Sequence, residues 1–174
     1  MKEIEIKFMV ASFDAIIPKL KKLGARCEWK GLEESYFFDT RSKTLKSKRQ
    51  MLRLRRWQGH SNSLTLKLEP EKDSAKFKIR DEYQITISDI NVMRNILKFL
   101  GFREYMRYKK CREHWRVQDA AIELDTVYNL KFVEIEGSRE AIHKMAAELG
   151  LDWSAMTTKG YLSIIRDLRR KPGR

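Results

Sequence analysis

Cysteine and histidine are scarce in this chain. Its 174 residues include two cysteines, Cys27 and Cys111, and three histidines, His60, His114 and His143. The cysteines lie far apart and form no metal-ligand spacing, so they read as small core residues or bystanders. No His-x-x-x-His spacing occurs, which argues against a histidine-ligated zinc site. Long apolar runs are missing too. None approaches the roughly 18 residues that a membrane helix needs, and the chain opens on charged residues rather than on the apolar stretch of a signal peptide. A cytoplasmic protein with no membrane partner is expected.

Charge, by contrast, is abundant. Lys and Arg number 37 against 24 Asp and Glu, a net charge of +13. Such an excess suits polyanionic partners: nucleic acid, polyphosphate, nucleotides or an anionic surface. Part of it is a C-terminal run, Arg166, Arg169, Arg170, Lys171 and Arg174, which reads as a solvated tail. With 42% hydrophobic and 10% aromatic residues, the chain is globular and long enough to bury the core of one domain.

The charges follow a period of two. In Glu3-Ile4-Glu5-Ile6-Lys7-Phe8, the charged side chains share one strand face and Ile4, Ile6 and Phe8 the other. The pattern returns in strand after strand. Residues 26–40, Met51–Trp57, Leu64–Glu69, Ile79–Ile87, 102–117, Ala121–Thr126 and Phe132–Glu136 all read as strands. Arg41-Ser42-Lys43, Gly59–Asn62 and Pro70–Ala75 read as turns. Helices are expected from Ser12, as cap, to Gly24, with Pro18 tolerable within the first turns; from Ser88 or Asp89 to Gly101; from Ser138 to Gly150; and from about Gly160 to Leu168. The order suggests an α+β fold, an antiparallel sheet with helices packed outside it.

On the polar strand faces the charges are sorted by sign. Glu3 and Glu5, Glu123 and Asp125, and Glu134 and Glu136 are acidic pairs at i, i+2. Arg53 and Arg55, Lys67, Arg80, and Lys110 and Arg112 form a basic set. Arginines at i, i+2 repel unless an anion lies between them. If the sheet curls into a barrel, this face becomes a lumen holding both signs. A metal-bound triphosphate suits such a lumen: Arg and Lys take the phosphate oxygens, and paired carboxylates hold Mg²⁺ or Mn²⁺. The plainer alternative is a set of solvated strand faces.

Glu3-Ile4-Glu5-Ile6-Lys7 resembles the Glu-x-Glu-x-Lys signature of the CYTH proteins, or triphosphate tunnel metalloenzymes. Further matches run in the family's order: Tyr36 and Asp39, Leu52-Arg53-Leu54-Arg55, Lys67, Arg80 with Glu82, Lys110-Cys111-Arg112, Asp125, Glu134-Ile135-Glu136, and Lys159 with Tyr161. The resemblance spans nearly the whole chain. It implies an eight-stranded antiparallel β-barrel forming a tunnel, here a single domain over residues 1–168 followed by a basic tail, 169–174. It also implies roles: Glu3, Glu5, Glu134 and Glu136 as metal ligands, with Asp125 assisting. Lys7, Arg53, Arg55, Lys67, Arg80, Lys110 and Arg112 become phosphate binders. Lys159 and Tyr161 would close one tunnel mouth. Glu3, Glu5, Lys7, Arg53 and Arg55 form the catalytic set. Three departures stand out: Gln84 where the pattern has a second acid, no glycine in Asn129-Leu130-Lys131, and Gly160 before Tyr161 in place of serine. Met51 stands where thiamine-specific members present an aromatic, which speaks against thiamine triphosphate.

The resulting expectation is a Mg²⁺- or Mn²⁺-dependent phosphohydrolase. Its substrate would be a small triphosphate, such as tripolyphosphate, ATP or another nucleoside triphosphate. The alternative is a class IV adenylate cyclase making cyclic AMP and pyrophosphate. A non-catalytic binder of polyphosphate or RNA ranks below both, and the chain is expected to be a monomer or homodimer.

Overall fold

The computed structural model describes residues 2–71 and 77–170, and for residues 169 and 170 the backbone alone. Most of the expected turn at 70–75 and the end of the basic tail lie outside the described residues. In chain order the elements are β1 (Lys2–Val10), α1 (Ile16–Lys22), β2 (Arg26–Thr40), α2 (Thr44–Ser47), β3 (Met51–Trp57), β4 (Ser61–Lys67) and β5 (Lys78–Ile87). Then come α3 (Ile90–Phe99), β6 (Phe102–Val117), β7 (Ala120–Val127), β8 (Leu130–Glu136), α4 (Arg139–Leu149), a 3₁₀ turn (Trp153–Ala155), β9 (Met156–Thr157) and α5 (Tyr161–Arg170).

The strands run in the order β5-β4-β3-β2-β6-β7-β8-β1, and β1 pairs back onto β5, which closes an eight-stranded antiparallel barrel. The two-residue β9 is an additional strand on β1. Closure removes the free edges that an open sheet would present. It also turns the period of two into an inside and an outside. Along β1, Glu5 and Lys7 line the lumen, while Ile6 and Phe8 are buried outside the barrel wall.

The apolar outer face is covered in patches. Ile6, Phe8, Ile122, Leu124, Val133 and Ile135 pack against Ile16 and Leu20 of α1 and Ile142, Met145 and Leu149 of α4. Burying one such side chain contributes about 1.5–3 kcal/mol. Phe38, Leu52 and Leu54 receive Ile90 and Leu97 of α3. On the inner face, at one end of the lumen, Phe37, Tyr108 and Phe132 receive Tyr161 and Ile165 of α5, so this helix packs across that end of the barrel.

Capping explains most helix boundaries. Asp89 accepts from the N–H groups of Asn91 (2.7 Å) and Val92 (3.1 Å), and Ser138 accepts from Ala141 (3.0 Å). Gly150 ends α4 in the left-handed region at φ +69°, where a β-carbon would crowd Lys19. The α1 start differs from expectation. Ser12 accepts only from the Asp14 N–H, and the helix begins at Ile16 after an Ala15 cap. Pro18 thereby falls in the first turn, where its missing N–H leaves no helical bond unmade. The α2 turn was not anticipated: Asp39 builds it by accepting from the N–H groups of Leu45 and Lys46. No described helix is long and apolar enough to cross a membrane.

Candidate functional site

The barrel encloses a cavity of about 970 Å³ whose lining combines both charge signs. Glu3, Glu5, Lys7, Arg53, Arg55, Lys67, Arg80, Lys110, Arg112, Glu134, Glu136 and Tyr161 all line it. Asp125 is fully buried in the wall beneath, where its carboxylate meets Lys110, Arg112 and Tyr161. Lys159 points elsewhere: it is exposed and pairs with Asp167 at 3.0 Å.

At one end the carboxylates are held by lysines. Lys67 sits 2.5 Å from both oxygens of Glu3 and 2.7 Å from Glu82. Lys7 meets Glu134 at 2.7 Å, and Lys78 is ion-paired with Glu5. Burial alone would push the Glu134 carboxyl up, but Lys7, Arg112 and Lys110 bring it well below the usual range. Glu136, an exposed residue at the end of β8, is less fully compensated. Partial burial of its carboxyl, then the charge of Glu3, push its pKa up to about 7, with Lys67 opposing and Glu134 and Glu5 adding to the effect.

Toward the other end lies a tighter lock. Arg112 grips Asp125 with two bonds of 2.6 Å, Lys110 adds one of 3.0 Å, and the Tyr161 hydroxyl donates at 2.6 Å. The Tyr161 ring in turn lies 4.6 Å from the Lys7 ammonium and 4.5 Å from that of Lys110.

Beside this lock sits Glu33, which the sequence pattern did not single out. It is fully buried and accepts from Trp57 Nε1 (2.8 Å) and Ser35 Oγ (3.1 Å), with Lys110 and Arg112 at 3.5 and 3.6 Å. Burial raises its pKa, but Lys110, Arg112, Arg55 and Arg53 together lower it far below the carboxylate range. In the sequence it was masked by Glu34, which faces outward and makes the two look like a surface run. The parity of Gly31, Glu33, Ser35 and Phe37 was the available signal. Lys78 was missed because β5 starts one residue before Ile79; it shares parity with Arg80, Glu82 and Gln84. Arg166, assigned above to a solvated tail, belongs to α5 and lines the cavity rim.

Among the described residues no carboxylate lies within ion-pair distance of Arg53, Arg55 or Arg80. The Nε groups of Arg53 and Arg80 are buried without a hydrogen-bond partner among the described residues. Arg55 donates to the Gln84 amide oxygen at 2.8 Å, a neutral partner where a second acid would add a counter-charge. Buried guanidinium donors aimed into a cavity imply an anionic guest.

The donor chemistry at the acidic end suits a hard cation, since it offers carboxylate oxygens and neither thiolate nor imidazole. Among the described residues no three of these groups converge as they stand.

A family model of the CYTH domain matches residues 1–160. This chain belongs to the CYTH family. Among CYTH relatives, a Methanocaldococcus jannaschii protein with a provisional adenylate cyclase name is 31% identical over 145 residues, covering 83% of this chain and 81% of the relative. A Vibrio parahaemolyticus structure, also provisionally named an adenylate cyclase, superimposes with a TM-score of 0.80 at 20% identity, covering 94% of this chain and 97% of its own. A Hippeastrum structure of a provisionally named adenylyl cyclase, described as revealing a dominant triphosphatase activity, gives a TM-score of 0.68 at 19% identity, with 95% of each chain covered.

Proposed function

We propose that this CYTH protein is a Mg²⁺- or Mn²⁺-dependent phosphohydrolase that cleaves inorganic or organic triphosphates held inside its tunnel. The observation that carries this reading is the trio Arg53, Arg55 and Arg80, which line the cavity, form no ion pair among the described residues and include two buried Nε donors with no hydrogen-bond partner among them. A linear triphosphate offers oxygens along its length to satisfy them, and Arg112, Lys110, Lys67 and Lys7 extend the row. Charge spread over the transferred phosphoryl group is stabilised by such fixed donors without reorganisation. Glu3, Glu5, Glu134 and Glu136 would hold the divalent cation. That ion supplies charge neutralisation and a positioned water. Tyr161 keeps Lys7 and Lys110 in place through its ring, and Asp125 through its hydroxyl.

The names of the relatives support a second reading, cyclisation of ATP. The structure of the rim disfavours it. Trp57, the aromatic best placed for a base, is stacked on Trp29 at 4.8 Å and approached by Arg55 and His114 at 5.1 and 5.2 Å. Its ring therefore offers no open platform for adenine. Phosphorus NMR of tripolyphosphate and ATP, each incubated with the protein and Mg²⁺ or Mn²⁺, separates the cases. Orthophosphate is the expected product, abolished in Arg55→Ala. Cyclic AMP with pyrophosphate would establish the cyclase, and the absence of any product would sink both.

A further inference from the structure

Lys78 has no role in the family pattern matched above, yet it is a lumen cation seated on a lumen carboxylate. It belongs to β5, directly opposite Glu5 of β1 in the barrel-closing pair. Its ammonium is ion-paired with Glu5, and both side chains are mostly buried. Around it stand Lys7, Lys67 and Arg80, each lining the same cavity. A lysine placed among like charges is held there by its one acid. If that acid is given another counter-charge, the lysine is repelled by its neighbours and must find a new anion.

We propose that Lys78 is an exchange cation: it occupies Glu5 in the empty tunnel, yields Glu5 to the divalent ion, and then binds the triphosphate. This inference rests on the function proposed above, because it needs a metal at Glu5 and a phosphate chain beside it. Two consequences follow from charge conservation within the lumen. Metal alone binds weakly, since it must displace an ammonium that has nowhere better to go. Metal and triphosphate bind with positive coupling, since the anion receives the lysine that the metal releases. Lys67 on Glu3 and Lys7 on Glu134 repeat the arrangement. Lys78 is the clearest member, because it pairs with Glu5 alone among the described residues, whereas Lys67 is shared between Glu3 and Glu82.

The test is a pair of titrations on the wild type, Lys78→Gln and Lys78→Arg, with circular dichroism confirming the fold. Mn²⁺ alone is followed by electron paramagnetic resonance. Tripolyphosphate, as a non-hydrolysable methylene-bridged analogue, is followed by calorimetry at saturating Mn²⁺, the state in which Lys78 has been released. Lys78→Gln should bind Mn²⁺ about tenfold more tightly and tripolyphosphate about tenfold more weakly, at the low end of typical coupling between sites. Lys78→Arg should recover tripolyphosphate binding. A purely structural role would weaken both or move neither. Should the wild type bind both ligands while the two affinities in Lys78→Gln move together or not at all, the exchange role is refuted and the triphosphatase reading stands. Should the wild type bind neither ligand, that reading falls and takes this one with it.

Discussion

The two ends of the tunnel handle buried acids in opposite ways. Near α5, Asp125 has three partners at 2.6–3.0 Å, and its oxygens are saturated by Arg112, Lys110 and Tyr161. At the other end Glu5 and Glu134 each rest chiefly on one lysine, and Glu136 is exposed at the strand end. A bidentate guanidinium is rigid and pre-organised, whereas an ammonium on a four-carbon stem moves. One end is thus scaffold and the other is exchangeable. Acids of the same strand pattern acquire different work from what stands across the barrel.

Paired substitutions probe that contrast most strongly. Asp125→Ala leaves Lys110 and Arg112 buried without their main counter-charge. It should lower stability by roughly 3–5 kcal/mol, the usual cost of breaking a buried ion pair. Glu5→Ala should cost well under half of that in a denaturant melt, yet reduce phosphate release by about 100-fold or more. Equal loss of stability in the two variants would erase the distinction between the ends.

A finer cut is Tyr161→Phe. It keeps the ring between Lys7 and Lys110 and removes only the bond to Asp125, for an expected loss of about 1.5 kcal/mol, the lower bound for a bond to a charged group. An unchanged unfolding midpoint would show that the hydroxyl adds nothing to the lock.

The smallest effect concerns pH, because Glu136 is exposed and water screens its charge. The Glu136 carboxyl titrates near 7 in the folded chain, against an ordinary value of 4.5. Between these values the folded state holds its proton more firmly than the unfolded state does. Its contribution is therefore fully present below about 4.5 and lost as pH rises through about 7. In metal-free buffer, Glu136→Gln should flatten that fall in stability. An unaltered pH profile would show that another group carries the dependence.

How much of this was legible beforehand depends on which interactions are local. Alternation along β1, β3 and β8 showed which side chains share a face, because the pleat fixes parity within a strand. Capping residues at Asp89 and Ser138 marked two helices for the same reason. The locking of Asp125 was hidden, since it depends on Arg112 lying directly across from it in the β6–β7 register and on α5 delivering Tyr161 from 36 residues away. Glu33 was concealed by its outward neighbour. Lys159 matched the pattern by spacing alone, but it precedes α5 and falls outside the tunnel.

The closing strand has a bearing on how the molecule is made. β1 is flanked by β5, at residues 78–81, and by β8, at residues 131–136. During synthesis it must wait for partners that leave the ribosome long after it does. Glu3, Glu5 and Lys7 spend that interval in water, and the lumen they help to line does not exist until β8 arrives. Such long-range pairing makes for slow folding. It also means that no partly made chain carries a working tunnel: the charged interior and the closed barrel come into being in the same late step.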